Sequence, residues 1–140
     1  MKVINIFNNN EVDLGSFSDD RGSIFDVFYN RNVNHCCWIT SQEGSERGNH
    51  FHLITTQYSL VVEGIFQYAW LPKGEVTPSI LEISRGDLVI SPPEEAHCLK
   101  ALSSGIFLAW AEGLRGGRDY EADTYRVPSL FERSLNVRID

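Results

Sequence analysis

The chain has 140 residues, 42% of them hydrophobic and 22% charged, an ordinary balance for one soluble domain able to bury a core. A formal charge of −7 and a pI near 5.0 argue against nucleic acid or an anionic membrane as partner, although an anionic small molecule fits wherever a few arginines converge. No apolar run approaches the roughly 20 residues that cross a bilayer.

The opening MKVINIFNNNEVDLG holds one lysine and a short apolar run ended by asparagines, which reads as a strand (KVINIF) and a turn, not an export signal. Further strands are predicted at SIFDVFYN (23–30), HCCWIT (35–40), QYSLVVEG (57–64), IFQYAWLP (65–72), SILEIS (79–84), DLVIS (87–91), HCLKAL (97–102) and IFLAWAE (106–112). Turn-forming clusters such as SQEGSERG, PKGEVTP, SRGD and SPPEE separate them, so an all-β sandwich or barrel in a single domain over 1–140 is expected. Phe66, Tyr68 and Trp70 share one strand face and are assigned to the core, with stacking on a base or sugar face as the alternative. Alternation turns Tyr58 away from Gln57 and Cys98 away from His97, so both are assigned to packing. A short helix is predicted in the tail (127–140), where Pro128 precedes a Ser129-to-Glu132 capping box and Leu130, Phe131 and Leu135 supply an apolar face.

Three cysteines, with Cys36 and Cys37 adjacent, form neither a disulfide framework nor a CxxC zinc pattern, so free thiols in a reducing cytoplasm are expected.

The chemistry-bearing stretch is RGNHFH at 47–52. Residues two apart on a strand share a face, so His50 and His52 are expected to project together, with Phe51 opposite and Gln57 opening the next strand beside them. A lone His-x-His is more often hydrogen-bonded scaffold than a site. The wider spacing carries more. Gly44, five residues, His50, one, His52, four, Gln57, six, Gly64 is similar to the first motif of the cupin superfamily, with Gln57 where glutamate is usual. Gly86, five residues, Pro92, four, His97 resembles the second, with Glu94 where glycine is common and Ala101 where asparagine is. The resemblance implies a jelly-roll barrel with core motifs at 44–64 and 86–101, in which His97 turns in toward His50 and His52. Gly64 and Gly86 then serve tight turns that favour φ > 0.

Within the cupins, Asp20-Arg21-Gly22 before an apolar strand, the RGNHFH stretch and RDYEADTYR at 118–126 resemble the cupins of nucleotide-linked keto sugars. These comprise the dTDP-sugar 3,4-ketoisomerases, the dTDP-4-dehydrorhamnose 3,5-epimerases and the cupin domains fused to UDP-sugar reductases. Gln57 and Arg47 lean toward the ketoisomerases, in which no metal is required; Asn49 and Phe51 lean toward the zinc-binding fused type. The resemblance implies an isomerase of a nucleotide-activated 4-keto-6-deoxy sugar in deoxysugar or cell-surface polysaccharide biosynthesis, working as a homodimer. The ketoisomerases carry a tyrosine in the strand before the first motif. Here His35, Cys36, Cys37 and Trp38 stand in that region.

The residues suit that chemistry. A carbonyl at C4 acidifies the C3 proton, histidine titrates near neutral pH, and a pocket donor can hold the enolate oxygen. His50 is the candidate base and His52 the shuttle. Arg21, Arg47, Asn49, Gln57 and His97 are candidates for substrate contact, the arginines for a diphosphate. The same His50, His52, Gln57 and His97 form a neutral ligand set for Zn, Fe or Ni. A non-catalytic sugar-binding cupin and a metal-dependent oxygenase remain as alternatives.

Overall fold

Most of the short β-branched and aromatic runs become strands. The computed structural model describes residues 1–8, 14–33, 35–113 and 121–136. Its elements are β1 (Lys2–Asn5), β2 (Ser16–Asp19), β3 (Gly22–Phe25), β4 (Cys36–Ser41), β5 (Glu46–Phe51), β6 (Thr56–Glu63), β7 (Ile65–Pro72), β8 (Ser79–Ser84), β9 (Asp87–Ser91), β10 (Glu95–Ala101), β11 (Gly105–Glu112), β12 (Tyr125–Arg126) and α1 (Leu130–Asn136). Two five-stranded antiparallel sheets form, in the orders β1-β9-β6-β11-β4 and β12-β5-β10-β7-β8, with β2–β3 as a separate ribbon.

The core between the sheets is built by alternation. Val61, Phe66, Tyr68, Ile83, Val89, Leu99, Phe107 and Ala109 pack there, and each fully buried Val, Leu, Ile or Phe contributes about 1.5–3 kcal/mol. As expected, Tyr58 and Cys98 face outward into separate layers. Tyr58 stacks on Trp110 beneath Val27 and Val33, and Cys98 lies beneath Leu130 and Phe131 of α1. Gly64 and Gly86 have φ of 89° and 92°, the backbone their turns were expected to need.

Three expectations change. The run at 23–30 is a strand only to Phe25. The Asp26 carboxylate and amide both engage Gly15, ending the ribbon, and the chain then crosses the outer sheet face with Phe28 against Trp110. KVINIF ends at Asn5, whose side chain accepts the Phe7 amide in a turn. In α1, Leu130 and Phe131 are buried, but Leu135 is 66% exposed, so the apolar face is one turn long. The predicted cap does form, with Glu132 N donating to Ser129 Oγ at 3.3 Å.

Candidate functional site

The site is organised by an irregularity in β5. Along the β5–β10 ladder Arg47 lies opposite Leu99 and Gly48 opposite Cys98, yet His50 lies opposite His97, so Asn49 is the extra residue of a β-bulge. Asn49 has φ of 53° and Gly48 has φ of 120°. A Cβ on Gly48 would stand 2.6 Å from the His97 carbonyl oxygen, so only glycine lets β10 pass this close. Strict alternation would put Arg47 and His50 on opposite faces. The bulge puts both on the face of Leu99 and His97.

His50 and His97 are thus cross-strand neighbours with ring centroids 4.9 Å apart, and His52, just beyond β5, brings its ring to 4.8 Å from His50. All three are buried, and their ligating nitrogens lie within 4.8 Å of one another. His52 Nδ1 lies 2.6 Å from the Asp123 carbonyl, which can only accept, so that nitrogen carries a proton. His52 Nε2 faces Gln57 Oε1 at 3.2 Å, and the Gln57 amide nitrogen lies 3.4 Å from Ser59 Oγ. An imidazolium donates to that oxygen. For a neutral ring the amide turns over, donates to Nε2, and accepts from Ser59. By the same logic His97 Nδ1, 3.2 Å from the Glu95 carbonyl, is protonated and leaves the lone pair on Nε2.

Asp123, which the motifs do not flag, holds this turn. Its carboxylate accepts the amides of Leu53 (2.8 Å), Ile54 (3.1 Å) and Thr55 (2.9 Å). Burial pushes this carboxyl up, but the hydrogen bonds from Leu53, Thr55 and Ile54 together outweigh it, and the group sits below its ordinary 3.8.

A cavity of about 290 Å³ opens over the cluster, lined by Ile39, Arg47, His50, Gln57, Phe107 and Arg126 among others. Arg47 is held by two neutral acceptors, the Thr40 carbonyl at 2.9 Å and Ser41 Oγ at 3.3 Å. It also lines a larger hollow of about 490 Å³, with Thr40, Ser41, Glu63 and Ser104.

No family model matches the chain, and no curated protein matches it in sequence. Solved structures do match in shape. QdtA, a sugar 3,4-ketoisomerase from Thermoanaerobacterium thermosaccharolyticum in complex with TDP, aligns over 96% of this chain and 92% of its own, at TM-score 0.66 and 15% identity. The dTDP-4-dehydrorhamnose 3,5-epimerase from Sulfolobus tokodaii aligns over 86% and 80%, at TM-score 0.65 and 17% identity. The capsular polysaccharide assembling protein CapF from Staphylococcus aureus aligns over 86% of this chain at TM-score 0.60 and 20% identity, but the chain spans only 36% of CapF. The fold is a cupin jelly roll. At these identities the likeness is one of fold, and it resembles the nucleotide-sugar cupins in shape as it does in motif.

Of the residues singled out from the sequence, the fold brings His50, His52, Gln57, His97 and Arg47 to the barrel mouth. Asn49 is not in the cluster. It is the bulged residue, its amide donates to Glu46 Oε2 at 3.0 Å, and its oxygen accepts the Leu130 amide at 3.0 Å, so it ties β5 to the start of α1. Arg21 also lies elsewhere, in the turn of the β2–β3 ribbon with its guanidinium 2.6 Å from the Asp19 carboxylate. Arg126, not singled out from the sequence, lies opposite His50 in the β12–β5 pair and lines the cavity. Its signal was the tyrosine-containing segment at 118–126, of which 118–120 lie outside the described residues.

Proposed function

We propose that this cupin is an isomerase of a nucleotide-activated 4-keto-6-deoxy sugar, and that it interconverts 4-keto and 3-keto isomers through an enediol. The observation that carries this reading is the meeting of three buried imidazoles and Gln57 beside two arginines at one barrel mouth. His50, at the cavity wall, takes the C3 proton. His52, whose Nε2 can gain or lose a proton as Gln57 turns while Nδ1 keeps its own, exchanges protons with it. Arg47 bridges the two hollows, so a diphosphate bound there places the sugar over the imidazoles and the nucleoside in the larger hollow. Arg126, the cross-strand neighbour of His50, stabilises the developing oxyanion. Among isomerisations, end-to-end alignment with a 3,4-ketoisomerase and the neutral Gln57 favour the 3,4-shift over epimerisation at C3.

The donor set also fits a divalent ion. His50, His52 and His97 would hold it with Gln57 Oε1 as fourth donor, and two of the imidazoles already fix their Nδ1 protons on backbone carbonyls, as metal-binding histidines do. Such an ion would supply Lewis-acid polarisation of the carbonyl. We propose that turnover does not require it. The deciding experiment incubates dTDP-4-keto-6-deoxyglucose with protein, native or chelator-stripped, in deuterium oxide. Deuterium at C3 and a 3-keto product from both preparations support the reading. Binding without exchange leaves a sugar-binding cupin, metal-dependent oxygen uptake an oxygenase, and a C3 epimer an epimerase. We also place the protein in the cytoplasm as a homodimer, in line with three free thiols and with apolar surface left open on the β2–β3 ribbon.

A further inference from the structure

The 3,4-shift needs two proton transfers at carbon, and the imidazole cluster lies to one side of the cavity. On the sheet that faces it, β4 alternates plainly. Cys36, Trp38 and Thr40 are exposed, whereas Ile39 lines the cavity and Ser41 is buried against Arg47. Cys37 shares the inward face of Ile39 and Ser41. The His35 ring lies beside it, with its two nitrogens 3.6 and 3.5 Å from Cys37 Sγ.

The ladder register fixes where this pair stands. Cys37 is opposite Ala109, and Ala109 is opposite Ser59. Cys36 is opposite Trp110, which brings the next residue, His35, level with Ala111, itself opposite Gln57. Gln57, Ala111 and His35 thus form one row across three strands, and Ser59, Ala109 and Cys37 the next. Neighbouring strands lie about 4.8 Å apart, so the thiol–imidazole pair stands roughly 10 Å from the residue that touches His52. Between them the sheet carries only the methyl groups of Ala109 and Ala111. Two acid–base groups therefore face the same inner surface, with no longer side chain between them along that row.

Resting on the isomerase reading of the site, we propose that His35 and Cys37 are its second proton-transfer pair, delivering the proton that C4 receives. His50 takes the C3 proton and passes it to O4, giving the enediol. The Cys37 thiol then protonates C4, the O3 hydroxyl proton goes to His35, and His35 returns a proton to the thiolate. Two protons leave the sugar, two enter, and the product is the 3-keto isomer with every group restored. A thiol beside an imidazole suits the step, because the ring can reload the sulfur without waiting for solvent.

The test uses the full chain in deuterium oxide with dTDP-4-keto-6-deoxyglucose, comparing Cys37→Ser, Cys37→Ala and His35→Gln with wild type. Two rates are read separately by NMR, namely C3 deuterium wash-in to recovered substrate and formation of the 3-keto product. Wash-in within about threefold of wild type, with product formation down about 100-fold, is the expected result. Product formation within threefold of wild type in all three variants overturns the proposal. So does a shared loss, in which wash-in and product fall by one factor, because a structural defect acts on both. A wild-type protein that neither exchanges nor isomerises overturns the isomerase reading itself, a different outcome from either of these.

Discussion

The two ring nitrogens of His52 answer to different neighbours: one to a carbonyl that can only accept, the other to an amide that can present either end. In the proposed isomerase that division suits a shuttle, with His50, on the cavity wall, as the base. Replacing His50 by glutamine keeps much of the volume and removes the base. C3 deuterium exchange should fall by about 10²- to 10⁴-fold with the melting temperature little changed, which NMR exchange and calorimetry together check. Asp123 makes a prediction of its own. Its folded-state carboxyl lies below the ordinary 3.8, so its stabilisation is complete above that pH and is lost as pH falls through the lowered value. Asp123→Asn keeps one accepting oxygen and loses the charge-assisted bonds to the 53–55 amides. It should cost about 1–3 kcal/mol at neutral pH by urea denaturation. The gap to wild type should narrow below about pH 4. A gap that is unchanged in acid would separate the effect from ionisation.

At the scale of elements, four of the site's side chains are legible in motif spacing alone, because cross-strand neighbours and turn glycines leave a periodic trace. The bulge left a trace too, the Gly48-Asn49 pair, but alternation alone reads straight through it. For that reason Asn49 resembled a ligand-facing residue in the sequence and is a tether in the structure. It holds α1 from one side as Ser129 caps it from within. The polar strand β5 escaped the hydrophobic pattern because its inward face borders a cavity and not the core. Asp123 lay within the same 118–126 segment as Arg126, but its role was not legible, because a carboxylate that accepts backbone amides 68 to 70 positions away shows no partner in its own neighbourhood. Two substitutions test this account. Asn49→Ala should cost about 1 kcal/mol, comparable to a lost helix cap, and leave the imidazoles in place. Gly48→Ala must move β10 or the bulge, and should cost about 1–3 kcal/mol and reduce exchange at the same time. If Gly48→Ala lowers stability alone, the bulge does not aim His50.

For the whole molecule the open question is what covers the β2–β3 ribbon. Among the described residues its strands pair with neither large sheet, and a lone two-stranded hairpin is marginal in water. One of its faces is anchored, where Phe25 meets Phe7 edge-on at 5.1 Å. The other carries Phe17 and Ile24, direct cross-strand partners, at 57% and 66% exposure. Trp38, at 62%, adds apolar surface on β4, the edge strand of its sheet. An apolar cross-strand pair left bare on an otherwise acidic surface fits a second copy of the chain better than solvent. Ile24→Asp places a carboxylate in that contact without touching the core or the imidazoles. Sedimentation equilibrium at micromolar concentration should give a dimer for the wild type and a monomer for Ile24→Asp, with the circular dichroism spectrum unchanged. Were the wild type a monomer under those conditions, a second copy of the chain would not be what covers the ribbon's bare face.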